Sequence, residues 1–212
     1  PSGQNSSYLL DQYMNYYNPY NEYELQEERL TELFRDASQK AYSQDDIDFS
    51  NYDVVVVFHA GIGQDFSLPF LDPTPEDIPS TFIDNSMIVE HLGVSSIDLG
   101  ENMIKQGIIL PESQNHLLFD ISEAMFSDAS EPCEYQYGMT GTFVLMIGFA
   151  VGLPPLWNIN TGESGVGVFG LMDQGSNNGR GIIPAPPTAW SRINAGWEEP
   201  VYGKAGDHMQ LA

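Results

Sequence analysis

The sequence predicts an α/β (α+β) fold, and three stretches carry that expectation. Tyr52 to Phe58 (YDVVVVF) is β-branched and apolar without interruption, the pattern of a strand covered on both faces of a sheet. Gly141 to Val151 lies in a span from Tyr135 to Gly162 that holds no Asp, Glu, Lys or Arg, so it reads as a central helix buried almost all round. Glu22 to Tyr42 places Leu30, Leu33, Phe34, Ala37 and Ala41 at helical spacing, which predicts an amphipathic helix. A covered strand with helices to cover it implies an α/β sandwich.

The elements follow in chain order. Residues 1–21 are rich in Asn, Gln and Tyr with no helical or strand period, and read as an extended arm on the body of the domain or on a neighbour. Asn5-Ser6-Ser7 is a glycosylation sequon in form. The helix from Glu22 has glutamates in its early turns and Arg35 and Lys40 late, as the helix dipole prefers. After the strand, Pro69, Pro73, Pro75 and Pro79 make Gly61 to Ser96 mostly loop, with a short strand over Ser80 to Val89. Ser96 to Ile109 reads as irregular loop and short strand. Pro111 to Ser127 reads as a helix with Glu112 in its first turn. Pro184, Pro186 and Pro187 stop the coil before a short helix that Thr188 caps and that runs through Asn194 to Gly196. The boundaries are thus an arm at 1–21, a domain at 22–201 and a tail at 202–212.

Composition narrows the function classes. Seven Lys and Arg against 30 Asp and Glu leave a net charge of −23, which repels nucleic acid and anionic membrane surfaces. Hydrophobic residues at 42% and aromatics at 12% are those of a folded domain despite that charge. The single Cys133 excludes an internal disulfide framework and an all-cysteine zinc cluster. The opening PSGQNSSYLL has neither the basic nor the apolar segment of a secretory signal; a processed start or a domain cut from a longer protein opens in the same way. The run Phe143 to Trp157 is interrupted by Gly148, Gly152, Pro154 and Pro155 and falls short of the roughly 18 to 20 residues a membrane span needs.

Several candidate chemistries fail on spacing. Gly61-Ile62-Gly63 follows a strand, but Phe66 stands where a dinucleotide loop needs its third glycine. Gly162-Glu163-Ser164-Gly165 lacks the GxSxG spacing of a nucleophile elbow and reads as a turn. His59, His91, His116 and His208 contain no pair at the i, i+4 spacing of a helical metal site. Asp65, Asp72, Glu76, Asp77 and Asp84 crowd a proline-rich stretch and offer oxygens to calcium, with Asp65, Asp72 and Asp77 the leading candidates, although the DxDxDG spacing is missing. Asp173 reads as a cap or a loop-binding carboxylate.

The stretches DFSNYDVVVVFHAGIGQD (Asp48 to Asp65) and GLPPLWNINTGESGVGVFGLMDQGS, continuing to the AGW at Trp197, carry a resemblance. They are similar to the segments that flank the zinc helix in the M6 (immune inhibitor A-like) family of secreted metallopeptidases, and GLMDQGS (Gly170 to Ser176) is the most specific part. The resemblance implies a zincin/metzincin-like domain with a twisted mixed sheet, a former active-site helix at its centre and a turn that carries Met172. With the family's glycine set on Gly152, the HExxH pattern and its third ligand fall on Leu145, Met146, Phe149 and Pro155. None of these is a zinc ligand or a water-activating base. Met172 is then expected as an ordinary core side chain.

The expectation is therefore a catalytically inactive, pseudopeptidase domain without zinc. It would be extracellular or cell-surface, and would act as a structural or protein-interaction module on a protein or peptide partner, or through self-assembly by the Tyr-rich arm. Two alternatives stand beside it: a secreted hydrolase with a displaced metal site, and a calcium-stabilised, adhesin-like module.

Overall fold

The computed structural model describes residues 7–65, 74–114 and 138–206. Asn5 and Ser6 of the sequon, Asp72, His116, Cys133, His208 and residues 115–127 of the expected Pro111 to Ser127 helix lie outside them. The described residues form a mixed α+β fold with five α-helices, a three-stranded mixed sheet and a two-stranded hairpin.

From Tyr8 the N-terminal segment lies on the body of its own domain, one of the two positions expected of it, and it departs from an extended arm at one helical turn, α1 (Met14–Tyr17). Tyr17 is 3% exposed and meets the Tyr16 ring edge-on at 5.3 Å. The tyrosine hydroxyls supply the specificity: Tyr8 donates to Asp45, Tyr16 to Glu32 and Tyr17 to Asp36, all on the following helix, α2 (Gln26–Asp45). Arg29 adds a cation–π contact 4.4 Å from the Tyr16 ring centre. Tyr13, 84% exposed, and Tyr20 are left facing outward.

Helix α2 buries Leu30, Leu33, Phe34 and Ala41, as its period requires. It ends where Asp46 turns left-handed at φ 50°. Its apolar face lies on a sheet whose strands run in the order β1 (Val55–Gly63), β5 (Gly107–Gln114), β2 (Thr81–Ile83). β1 and β5 are parallel, and β2 is antiparallel to β5. Val55, Val57, Ile83 and Ile109 join the core beneath α2, while the alternate row through Val56, Ile108 and Phe82 faces the other side.

Two expectations change here. The Val-rich strand exists but, among the described residues, lies at a sheet edge; Val54 to Val57 are half-buried and Phe58 is 61% exposed. The strand covered on both faces is β5, whose Ile108, Ile109 and Leu110 are fully buried. Pro111 and Glu112, expected to open a helix, continue this strand. The proline is tolerated because β2 pairs only with Gly107 to Ile109, so at residue 111 there is no ladder on that side for a missing N–H to break.

The expected strand over Ser80 to Val89 is split. Only Thr81–Ile83 is strand; Asp84 then accepts the Met87 N–H at 2.9 Å and starts α3 (Asn85–Leu92), which closes at Gly93 with φ 68°. The hairpin β3 (Ile97–Leu99) and β4 (Asn102–Ile104) points Ile97, Leu99 and Ile104 inward.

Helix α4 (Thr140–Ala150) lies against β2, β5 and the turn at Gln174–Asn177. Its near-complete burial does not hold: Gly141, Thr142 and Gly148 are buried, whereas Thr140, Phe143 and Val151 are exposed and the rest are half-buried. A sheet three strands wide covers one side of such a helix and no more. Helix α5 (Ala189–Asn194) matches its expected caps, with Thr188 Oγ1 accepting the Ser191 N–H and Gly196 at φ 72°. Among the described residues, no helix is long and apolar enough to cross a membrane.

Candidate functional site

The C-terminal half of α4 packs on the turn that carries Met172. Met172 is fully buried, in a cluster with Leu153 and Leu171, against which Val144, Leu145, Phe149 and Leu156 pack. The contact is close because position 148 lacks a side chain: a Cβ there would lie 2.6 Å from Met172 Sδ. Phe149 is held by aromatic rings on two sides. It stacks on Phe82 of β2, with centroids 5.8 Å apart, and meets Trp157 edge-on at 5.9 Å.

Leu145 and Phe149 thus share one apolar cluster with Met172, while Met146 and Pro155 are half-buried. Leucine, phenylalanine and proline side chains offer no donor atom, and a thioether is a poor ligand for zinc. These four residues do not fit a zinc ion.

Immediately after Met172, the Asp173 carboxylate ties the surrounding turns together. Its Oδ2 accepts from the backbone N–H groups of Gly165 (2.9 Å), Val166 (2.7 Å) and Gly167 (2.8 Å) and from Ser164 Oγ (2.9 Å). Its Oδ1 accepts the Gln174 N–H at 2.8 Å. Burial pushes the Asp173 pKa up, but the bonds from Val166, Ser164, Gly167 and Gln174 outweigh it and hold the carboxyl below the usual aspartate value. Ser164 Oγ in turn accepts the Gly167 N–H at 2.9 Å. The chain between folds back on itself, with Trp157 bridged to Ser164 and the Leu156 N–H donating to the Met172 carbonyl at 2.8 Å. Asp173 has the loop-binding role read from sequence, and Ser164 is its partner rather than a nucleophile beside a base.

The remaining candidates are dispersed. His59, midway along β1, has Nδ1 3.0 Å from the Ala60 carbonyl and Nε2 3.1 Å from the Ile78 carbonyl. Asp65 accepts both the N–H and the hydroxyl of Ser80 at 2.7 Å, fastening the end of β1 to the start of β2. Asp77 accepts the Thr74 hydroxyl at 2.7 Å, and its own carbonyl accepts from Asn18. Asp84 caps α3, and His91 lies 3.6 Å from Glu27 on α2. Among the described residues, no group of three or more His, Cys, Asp or Glu is arranged to share a metal ion, so Asp65 and Asp77 are not brought into a common calcium site.

Sequence reasoning missed the aromatic bracket of Phe82 and Trp157 around Phe149. It also missed the amide donors of Gly165, Val166 and Gly167. The only trace of the latter was the density of glycine before an aspartate. The fold and site define a mixed α+β domain with an apolar-packed central helix braced by a carboxylate-bound turn. No protein-family model, curated protein or solved structure matches the chain.

Proposed function

We propose that this chain is a non-catalytic domain of the M6 metallopeptidase type, with a zincin-like architecture. In this reading it is secreted or displayed on a cell surface and serves as a structural or protein-interaction module. One observation carries the reading: the helix that resembles the family's zinc helix has apolar side chains at positions 145 and 149, and these pack with Met172. Where a peptidase needs a solvated, charged metal, this chain gains packing; each fully buried apolar side chain stabilises a fold by about 1.5 to 3 kcal/mol, and half-burial by correspondingly less. The mixed sheet and the buried Met172 agree with the same architecture.

Metal analysis of the purified chain after incubation with zinc and dialysis, paired with cleavage of a general protein substrate with and without chelator, tests this. The expected result is far less than one zinc per chain and no chelator-sensitive cleavage. Stoichiometric zinc together with chelator-sensitive cleavage would overturn the proposal.

A further inference from the structure

The loop from Gly175 to Gly181 holds the one Asn-Gly pair of the chain, Asn178-Gly179. An asparagine amide is a reactive group as well as a polar one, and a following glycine has no Cβ to shield its backbone nitrogen from that amide. Gly179 and Arg180 are exposed and Asn178 is half-buried, so water reaches the pair. Gly179, Arg180 and Gly181 are left-handed in succession, at φ 56°, 59° and 72°. For an arginine that backbone is strained, and the bonds around it hold it in place. Asn178 Nδ2 donates to the Val168 carbonyl at 2.9 Å, and the Asn178 and Gly179 carbonyls accept the N–H groups of Ile183 and Ile182, each at 3.2 Å. The next two carbonyls receive the entry to α4: the Gly138 N–H donates to Arg180 at 3.0 Å and the Gly141 N–H to Gly181 at 2.8 Å.

We propose that Asn178-Gly179 is a site of self-modification, converting to isoaspartate with loss of ammonia at a rate that the fold restrains. The Gly179 nitrogen, giving up its proton to hydroxide, attacks Asn178 Cγ. The new C–N bond closes a five-membered succinimide, and the Cγ–Nδ2 bond breaks as that nitrogen takes a proton from water and leaves as ammonia. Water then adds to one of the two ring carbonyls and breaks its bond to the ring nitrogen. Opening at the Asn178 α-carbonyl leaves isoaspartate, whose backbone runs through Cγ and is one atom longer; opening at Cγ leaves aspartate. Water is the only co-reactant, and nothing is oxidised or reduced. Two features restrain the first step. The bond to Val168 holds the amide, and ψ of 140° at Asn178 turns the Gly179 nitrogen aside from Cγ, so ring closure needs rotation about the Cα–C bond. That rotation swings the Asn178 carbonyl away from Ile183, so the reaction proceeds from a locally opened loop. Either product disturbs what the loop supports. Aspartate sets an oxygen against the Val168 carbonyl, acceptor against acceptor, and isoaspartate lengthens the chain just before the two carbonyls on which α4 starts. There is no slack to absorb it: a Cβ at Gly141 would meet the Ser176 carbonyl oxygen, and one at Gly181 that of Gly138. The chemistry does not depend on the peptidase-like reading.

The full chain, held in warm, mildly alkaline buffer with and without guanidinium chloride and sampled over weeks, tests the proposal by peptide mass spectrometry with fragmentation that tells isoaspartate from aspartate. In guanidinium chloride Asn178 should convert ahead of every other asparagine, with isoaspartate among the products. In the folded chain it should convert as well, several-fold more slowly. The converted chain, separated by its extra negative charge, should exchange the amide hydrogens at Gly138 and Gly141 several-fold faster than the parent, with α2 unchanged. Asn178→Gln keeps an amide but needs a larger ring to react, and should leave the site unconverted. An Asn178 that stays wholly intact in the folded chain, that converts there as fast as in guanidinium chloride, or that yields no isoaspartate overturns the proposal, and so does unchanged exchange at the start of α4. The measurements on the unaltered chain decide even if the glutamine variant folds poorly.

Discussion

Replacing Asp173 should destabilise the domain more than any other single polar change around the Met172 turn. Its Oδ2 gathers three backbone N–H groups and one hydroxyl, and Oδ1 takes a fourth N–H. Asp173 is 5% exposed, so water cannot fully replace it as a partner. In Asp173→Asn one oxygen can still face the cluster at Gly165 to Gly167, but the amide NH2 then faces the Gln174 N–H, donor against donor. Hydrogen bonds to a charged group contribute about 1.5 to 3 kcal/mol each, and an unsatisfied buried donor costs about 1 to 3 kcal/mol, so about 2 to 4 kcal/mol is expected for Asn. Asp173→Ala orphans all the donors and should reach about 4 to 5 kcal/mol, near the top of the range for single substitutions. Ser164→Ala removes one donor to Asp173 and one acceptor for Gly167 N–H, and should cost about 1 to 2 kcal/mol.

Urea unfolding gives these differences directly. For a domain of this size each kcal/mol lowers Tm by about 2 to 4 °C, so the Asn variant should melt roughly 10 °C lower. The acid limb gives a second, independent readout. Because the folded pKa of Asp173 is depressed, its contribution is present above the unfolded value of about 3.9 and is lost as pH falls through the folded pKa. Asp173→Asn should flatten that part of the stability profile while leaving the neutral-pH penalty in place. An Asn variant within about 0.5 kcal/mol of the parent, in the range of a plain surface substitution, would refute the assignment of Asp173 as the tie between these turns.

The close approach of α4 to its turn predicts that alanine, normally favourable in a helix by about 1 kcal/mol over glycine, is unfavourable at two of its glycines. At Gly148 the new Cβ meets Met172 Sδ at 2.6 Å, a flexible side chain, and a loss of about 1 to 3 kcal/mol is expected. At Gly141 it meets the Ser176 carbonyl oxygen, part of a backbone that cannot swing aside, so the loss should be larger. Urea melts showing either variant more stable than the parent would contradict the packing. Tyr17→Phe keeps the buried ring but loses the 2.8 Å bond to Asp36, for about 1 to 2 kcal/mol, and a double-mutant cycle with Asp36→Asn should recover most of that as coupling. Burial, and then the bond to Asp36, raise the Tyr17 pKa well above its usual value. Its contribution is therefore whole below pH of about 10 and is lost as pH rises toward the folded pKa; the Phe variant should lack that alkaline loss.

Much of the fold was legible where the signal is local. Helix α2 announces itself through Leu30, Leu33 and Phe34, and α5 through Thr188 and Gly196, because period and caps are set by residues within a few positions. Pairing is not local. Nothing within YDVVVVF states that β5 lies on one side of it alone, and nothing near Pro111 states that β2 has already ended. Helix α3 was hidden because Ile88 and Val89 favour strand, while its decisive feature is a cap by Asp84 that competes with strand extension. At the site, the apolar character of Leu145 and Phe149, which pack with Met172, was legible residue by residue. The donors to Asp173 were not, because backbone amides leave no mark in side-chain sequence.

The two strongest signals for burial in this chain, the valine run of β1 and the uncharged span of α4, belong to elements that the described structure leaves partly open. Phe58 and Val151 are exposed, and most of the intervening apolar side chains on both elements are only half-buried. Elements whose patterning alternates are better matched: α2 is polar where it is exposed, and the β3–β4 hairpin keeps Ile97, Leu99 and Ile104 inside, with Met103 its one exposed large apolar residue. Exposed apolar residues are not confined to these two elements, since Ile159, Phe169, Ile183 and Trp190 are exposed as well, so what sets β1 and α4 apart is the unbroken run of apolar sequence and not exposure itself. Residues that a partner covers are under the same physical constraint as a core, so a contact surface is one arrangement that produces such runs. On this argument β1 is the stronger case, because an unguarded edge leaves backbone groups as well as side chains to be satisfied.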